Sequence, residues 1–163
     1  MAVTVANSPL KKMTYNGQKV KKWVHDGAVV YKSSNFPDGV TFVTGGTNVA
    51  NCYVRDDLLH AESYTEKTNG SIRSSAKLLA GTDFKSIVFV VGSASRSGNA
   101  TVSVGFDRDT TQHTFSSIDF AVAVTGPGEY TVTPTAGVSG YIAIACWGSS
   151  GPASVDVTGI VFK

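Results

Sequence analysis

The sequence predicts an all-β protein in which a small N-terminal β-meander precedes a β-sandwich of the jelly-roll type. The first observation behind this prediction is the composition. There are 17 glycines among 163 residues, and 16% of the residues are charged, where about 25% is usual in a soluble domain. The second is the repetition of short alternating apolar and polar stretches, broken by Gly, Pro, Ser or Asn, without one convincing long helix. A chain of this length buries a sizeable core without disulfides or metal ions.

The N-terminal meander is predicted from two tight-turn signals in MTYNGQKVKKWVHDGAVVYK, residues 13–32. Asn16-Gly17 is the strongest short signal for a two-residue type I′ hairpin. The tripeptide at residues 25–27, His-Asp-Gly, predicts a second turn. The predicted strands cover residues 10–15, 18–25 and 28–32. Because so small a sheet is barely stable alone in water, we expect it to pack on the rest of the chain or on another subunit.

A linker, KSSNFPDG at residues 32–39, is predicted after the meander because Pro37 and Gly39 interrupt it. This divides the chain into two predicted parts. Residues 1–35 form an attachment or oligomerisation module, and residues 40–163 form the sandwich domain.

Eight or nine strands are predicted in the sandwich. Two of them, at residues 87–91 (IVFVV) and 140–148 (GYIAIACWG), are nearly continuous apolar runs, which is typical of strands covered on both faces. A bulge is predicted at Gly159, where the alternation changes phase. The segment VRDDLLHAESY, residues 54–64, is compatible with a strand or with one or two helical turns.

Two cysteines, Cys52 and Cys146, lie far apart in the sequence. Without a CxxC pair or a histidine at ligand spacing they do not predict a zinc site. Two interpretations stay open: either both thiols are reduced and buried, or they form one disulfide. The N-terminus lacks the pattern of a secretory signal, and no apolar run approaches the roughly 20 residues of a membrane span. We therefore expect no cofactor, no membrane insertion, and folding in a cytoplasm.

The basic residues are concentrated in the first fifth of the chain, as Lys11, Lys12, Lys19, Lys21, Lys22 and Lys32. The net charge of +2 is too small to indicate a polyanionic partner. Nucleic-acid binding by a sheet also needs aromatic rings between the charges, whereas alternation places Lys21 and Lys22 on opposite faces. The pattern favours a structural role, with Tyr15, Lys21, Lys22 and Trp23 as assembly residues and no nucleic-acid partner.

Catalysis is not predicted, because none of HExxH, GxSxG, a P-loop or a dinucleotide fingerprint occurs. The richest polar cluster is DRDTTQHTF, in which His113 follows Asp107 and Asp109. An enzyme would use these three residues, and the two aspartates also suit a calcium ion. Solvated turn residues are the simpler interpretation, so we predict neither catalytic residues nor metal ligands.

Sugar recognition is the activity that the residues favour. Aromatic rings stack on the apolar face of a sugar, while charged and amide groups hydrogen-bond its hydroxyls. The candidate rings are Tyr53, Tyr64 and Trp147, and the candidate polar partners are Arg55, His60, Glu62 and Arg73. A polar stripe of this kind is more often just the solvent-exposed face of an antiparallel sheet, and Trp147, at the end of a strand covered on both faces, is more often a core residue.

Two stretches resemble known families. YNGQKVKKWVHDGAVVYK, residues 15–32, resembles a tract that recurs before a variable β domain in small structural proteins of phages and prophages of Gram-positive bacteria. GEYTVTPTAGVSGYIAIACWGSSGPASVDVTGIVF, residues 128–162, resembles the closing third of jelly-roll carbohydrate-binding modules. Together the resemblances imply a non-enzymatic virion protein of the tail, baseplate or fibre type.

The implied partners are other virion subunits in a homo-oligomer, with a trimer favoured, and a host-surface glycan as ligand. The implied localisation is the virion, assembled in the host cytoplasm without a signal peptide. Three alternatives stay open: a free-standing carbohydrate-binding module, a small glycan-active enzyme that uses His113, and a nucleic-acid-binding protein that uses the lysines.

Overall fold

The computed structural model describes residues 14–15, 18–19, 22–25, 28–32, 35–47, 51–64, 68–108, 118–148 and 150–163. Every regular element within these ranges is a β-strand. In the N-terminal tract they are β1 (Thr14–Tyr15), β2 (Gln18–Lys19), β3 (Lys22–His25) and β4 (Ala28–Lys32). β1 pairs with β2 and β3 pairs with β4, both antiparallel. Each predicted turn therefore lies between two paired strands, and its own residues, 16–17 and 26–27, lie outside the described ranges. The predicted strand at residues 18–25 is described as two, and the residues between them lie outside the described ranges.

The sandwich is built from the strands that follow. They are β5 (Phe42–Thr47), β6 (Tyr53–Arg55), β7 (Leu58–Ser63), β8 (Thr68–Ser74), β9 (Leu78–Leu79), β10 (Ile87–Arg96), β11 (Thr101–Asp107), β12 (Phe120–Ala123), β13 (Gly128–Val132), β14 (Ser139–Gly148) and β15 (Ala153–Phe162).

Two antiparallel sheets pack face to face. The five-stranded sheet has the order β13-β10-β15-β7-β6, and the six-stranded sheet has the order β12-β11-β14-β8-β5, with β9 paired to the start of β14. Their inner faces form one hydrophobic core. Its largest fully buried side chains include Phe89, Phe106, Leu59, Ile144 and Val155. Alternating strands that each bury one face produce this architecture, and the predicted all-β sandwich is confirmed.

The segment whose conformation the sequence left open is a hairpin. β6 and β7 pair across a turn at Asp56 and Asp57, with Arg55 opposite Leu58. Along β7, Leu59 and Ala61 are buried in the core. Because successive side chains of a strand alternate between faces, the residues between them point outward. The side-chain period of two along β7 is therefore that of a strand and not of a helical turn.

The two strands predicted to be covered on both faces are buried as expected. Ile87, Val88 and Phe89 are at most 3% exposed, and the residues from 142 to 146 in β14 are all buried. The predicted bulge is also present. Val90 pairs with Gly159 and Val91 pairs with Val157, so that one extra residue, Thr158, is inserted into β15.

The segment predicted as a linker is packed against the sandwich from Asn35 onward. The main-chain carbonyl of Asn35 accepts a hydrogen bond from the N–H of Ile160 at 3.0 Å. Phe36 is 5% exposed and lies edge-on to Phe42 in the core, with ring centroids 5.6 Å apart. The backbone then turns at Gly39, whose φ of 78° favours glycine. Residues 35–40 therefore contribute to the sandwich itself.

At one end of the sandwich the sheets approach so closely that only glycine fits. A Cβ at Gly70 in β8 would overlap the main-chain carbonyl of Glu62 in β7. The same position lies opposite Cys146 in β14 and next to the sulfur of Cys52. Both cysteines are free thiols, and burial raises the pKa of each above its usual range. These thiols stay protonated at neutral pH.

The described ranges contain no helix with the length and apolar character that crossing a bilayer requires.

Candidate functional site

A row of four polar side chains crosses the outer face of the five-stranded sheet. Tyr53 of β6 stands directly opposite His60 of β7, His60 opposite Asp156 of β15, and Asp156 opposite Ser93 of β10. Their strand neighbours Leu59, Val155 and Val157 are buried in the core, so the four point away from it. We call these four residues the histidine row. Directly opposed residues of an antiparallel sheet lie within contact distance.

Hydrogen bonds and ring stacking connect the row from end to end. The Nδ1 of His60 lies 2.6 Å from the Oδ1 of Asp156, and the Oγ of Ser93 donates to the Oδ2 of Asp156 at 2.7 Å. The ring of Tyr53 lies parallel to the imidazole, with centroids 4.7 Å apart and planes inclined by 15°. The guanidinium carbon of Arg55 lies 4.6 Å from the centroid of Tyr53. The ring of Tyr53 therefore stacks on side chains of the protein itself, those of His60 and Arg55.

Glu62 and its neighbours form the adjoining part of the face. One carboxylate oxygen of Glu62, Oε2, accepts hydrogen bonds from the Nδ2 of Asn51 at 3.2 Å and the hydroxyl of Tyr64 at 3.5 Å. The same oxygen lies 3.7 Å from the Nε2 of His60, beyond a direct hydrogen bond. Tyr64 is 43% exposed. The side chains of His60 and Glu62 are 15% and 26% exposed, so the pair is partly accessible to solvent, while Asp156 contacts the other nitrogen of His60.

The hydrogen bonds of the row lower the pKa of Asp156. Burial by itself would raise the pKa of Asp156, but hydrogen bonds from His60 and Ser93 and the charge of His60 outweigh it and lower that pKa. Asp156 is therefore an acceptor, and in a neutral imidazole the hydrogen bond to it places the proton on the nitrogen that faces it, Nδ1. Nε2 is then an acceptor as well. Ser93 donates to Asp156 rather than to an imidazole, so these residues are not arranged as a nucleophile with its base.

A groove of about 620 Å³ adjoins the row along β15. Thr158 and Val161 of β15 and Val90 of β10 line it on the sheet side, and Asn35 and Asp38 belong to its opposite wall. We call it the bulge groove. Because its wall comes from a segment predicted as a linker, sequence reasoning missed it. The buried aromatic Phe36 inside that segment was the signal available.

The predicted site residues do not share one face. Tyr53, Arg55, His60, Glu62 and Tyr64 lie together on the outer side of the five-stranded sheet, as described above. Arg73 and Trp147 alternate with the buried core residues Ile72 and Cys146, so they lie on the outer side of the six-stranded sheet.

The outer side of the six-stranded sheet has a closed centre. Ser103 and Ala145 there are 0% and 2% exposed. Arg73 lies over the ring of Tyr141, 5.2 Å from its centroid, and Lys77 lies 5.7 Å from the same centroid. This side is therefore less open to a ligand than the face that carries the histidine row.

The predicted assembly residues are described by their main chain alone or not at all. Tyr15 pairs with Gln18, Lys22 with Lys32, and Trp23 with Tyr31. Lys21 lies outside the described ranges.

The cluster considered for catalysis or calcium is described only in part. Asp107 is 2% exposed, whereas His113 and Asp109 lie outside the described ranges. Within the part of the chain that the structure describes, no three His, Cys, Asp or Glu side chains are grouped to hold a metal ion.

No protein-family model and no curated protein matches the chain. Among solved structures, the chain is similar to a low-affinity xylan-binding module, CBM86, from the gut symbiont Roseburia intestinalis. The similarity covers 76% of this chain and 95% of that chain, at 10% sequence identity and a TM-score of 0.43. The predicted resemblance to phage structural proteins receives no support from these comparisons.

Proposed function

We propose that the chain is a non-enzymatic carbohydrate-binding protein and that the histidine row with Glu62 is its binding face. The observation that carries this proposal is the pair of acceptors beside the row. The Nε2 of His60 and the Oε2 of Glu62 lie 3.7 Å apart, and both side chains are partly exposed on the outer face of the sheet. Adjacent hydroxyls of a sugar ring supply two donors to such a pair, one to each acceptor.

The surroundings of this pair suit a hydroxyl-rich ligand. Asp156 holds the imidazole in place from one side, and Asn51 holds the carboxylate of Glu62 from the other. A ligand therefore meets side chains that need little reordering, which lowers the entropic cost of binding. The exposed ring of Tyr64 beside Glu62 offers an apolar surface to the carbon face of a sugar.

The experiment is a binding titration with neutral oligosaccharides selected on a glycan array. Glu62→Gln replaces one charged acceptor by an amide of the same shape, and a hydrogen bond to a charged group contributes about 1.5–3 kcal/mol. We expect its affinity to fall by about tenfold or more. Asp83→Asn, at an exposed position of the turn that follows β9, is the matched control and should bind as the wild type does. Binding that is unchanged in Glu62→Gln, or no glycan bound at all, would contradict the proposal.

The N-terminal hairpins support a second proposal, that residues 1–35 attach the chain to other subunits of a phage tail, baseplate or fibre assembled in the host cytoplasm. Two-stranded sheets such as β1-β2 and β3-β4 need a partner surface for stability. Light scattering on the full chain and on a chain starting at Asn35 tests it. We expect a trimer or larger ring that becomes a monomer on truncation. Two monomers would contradict this proposal and leave the carbohydrate proposal unaffected.

A further inference from the structure

We propose that the bulge groove continues the carbohydrate site, so that the ligand is a linear uncharged oligosaccharide lying along β15 rather than a single terminal sugar. This inference rests on the proposed function and extends it to a class of ligand. Its physical basis is the continuity of the two features along one strand, the prior anchoring of the groove wall, and the chemistry of the lining.

The continuity follows from the bulge. Asp156 belongs to the histidine row, and Thr158, two residues later, lines the groove. The inserted residue changes the phase of β15, so that Ile160 faces the core and Val161, 46% exposed, faces outward. Asp156 and Val161 therefore share the outer face although they are five positions apart, an odd number. That distance is about 17 Å along a strand, which is longer than one sugar ring.

The wall of the groove is anchored before any ligand arrives. Asn35 is bonded to β15 through its carbonyl, Phe36 is buried in the core, and the N–H of Val40 donates to the carbonyl of Pro37 at 3.3 Å. Pro37 itself fixes one backbone angle. A ligand that enters the groove therefore does not have to order this segment, which favours binding.

The lining combines the two kinds of surface that a sugar chain presents. Val90, Val161 and Pro37 offer apolar contacts for ring carbons, and Asn35, Asp38 and Thr158 offer hydrogen-bonding groups for hydroxyls. Acidic groups occur along the whole path, with Glu62 at one end, Asp156 in the row and Asp38 in the groove. Carboxylates in these positions disfavour a ligand that carries carboxylates of its own. Between neutral and acidic oligosaccharides, the path therefore favours a neutral chain.

Chain length is the first test. The probes are cello-, xylo- and chito-oligosaccharides of two to six units, together with a hexagalacturonate, titrated into the full chain by calorimetry. For a series that binds, we expect affinity to rise by about tenfold or more between the dimer and the hexamer, and the hexagalacturonate to bind more weakly than the neutral hexamers. Equal affinity for the dimer and the hexamer would overturn the inference while leaving the proposed function in place.

Two groove variants provide the second test. Val161→Lys and Asp38→Asn should lose most of the gain from the longer ligand yet bind the dimer as the wild type does. Val43→Lys, at a position 38% exposed on the six-stranded sheet, is the matched control and should keep the gain. Thermal unfolding checks that each variant is folded. If Val161→Lys does not fold, Asp38→Asn alone provides the test. A full gain in both folded groove variants would overturn the inference. Loss of dimer binding in Glu62→Gln separately tests the proposed function.

Discussion

His60 and Asp156 occupy directly opposed positions of β7 and β15, and the Nδ1 of His60 lies 2.6 Å from the Oδ1 of Asp156. These residues are 96 positions apart in the chain. The carboxylate selects the tautomer of the imidazole and fixes its ring plane against Tyr53. The proposed acceptor pair of His60 and Glu62 therefore depends on Asp156, which is a positioning residue.

Asp156→Asn should weaken oligosaccharide binding by about tenfold because the imidazole loses its charged partner. In the wild type, ¹⁵N chemical shifts of the imidazole should show the proton on Nδ1, and in the variant the two nitrogens should become more alike. Circular dichroism should show both proteins folded. An unchanged imidazole spectrum in the variant would show that Asp156 does not orient His60.

The stability of the sandwich in acid should depend on Asp119. Hydrogen bonds from the side chain and then the N–H of Arg108 lower its pKa from 3.8 to about 2. Because the folded pKa lies below the unfolded one, the carboxylate stabilises the fold above about pH 4, and this contribution disappears as the pH falls toward about 2. Urea unfolding of wild type and Asp119→Asn should therefore differ by a constant amount near neutral pH and converge near pH 2. A difference that does not change with pH would contradict this.

Phe36→Ala should destabilise the sandwich by about 3 kcal/mol, because it removes a buried ring and leaves a cavity beside Phe42. Urea unfolding followed by tryptophan fluorescence measures the effect. Val43→Ala, at an exposed position of β5, is the control and should change stability by about 0.5 kcal/mol or less. If Phe36→Ala behaved like the control, residues 35–40 would be a linker after all.

Gly70→Ala should be among the most damaging single-methyl substitutions in the chain. Its new Cβ would overlap the carbonyl of Glu62, which is main chain and cannot rotate away. We expect a loss of about 3 kcal/mol, as for severe overpacking. Gly126→Ala is the control, since a Cβ there meets nothing within 4 Å. Similar unfolding midpoints for the two variants would show that the sheets can separate at this end without cost.

Much of the fold was predictable because strands have a side-chain period of two that is legible in a single sequence. The change of phase at Gly159 appears in the structure as predicted, and the alternation in β7, where the sequence left a strand and helical turns open, is that of a strand. The same local signal placed His60, Glu62 and Tyr64 on one face. The local pattern does not contain the register of the sheet, that is, which strands pair and at which residues. Asp156 and Ser93 join the site only because β15 lies between β7 and β10, and pairing over such sequence distances is set by the whole core.

Local sequence patterns could not predict two further features, the placement of Arg73 and Trp147 and the bulge groove. Arg73 and Trp147 carry the right chemistry for a sugar site, but they belong to the other sheet, which only the strand order reveals. The bulge groove was missed because Pro37 and Gly39 made residues 32–39 look like a connector. Turn residues describe the path of the backbone, whereas the burial of Phe36 depends on a space that the two sheets create together.

The single residue inserted at Thr158 determines which side chains of β15 face outward after the bulge. With it, the polar stretch before the bulge and the apolar stretch after it emerge on the same side of the sheet. A deletion of one residue at this point would exchange core and surface for every position on one side of it. The two-part surface of this strand therefore depends on the extra residue.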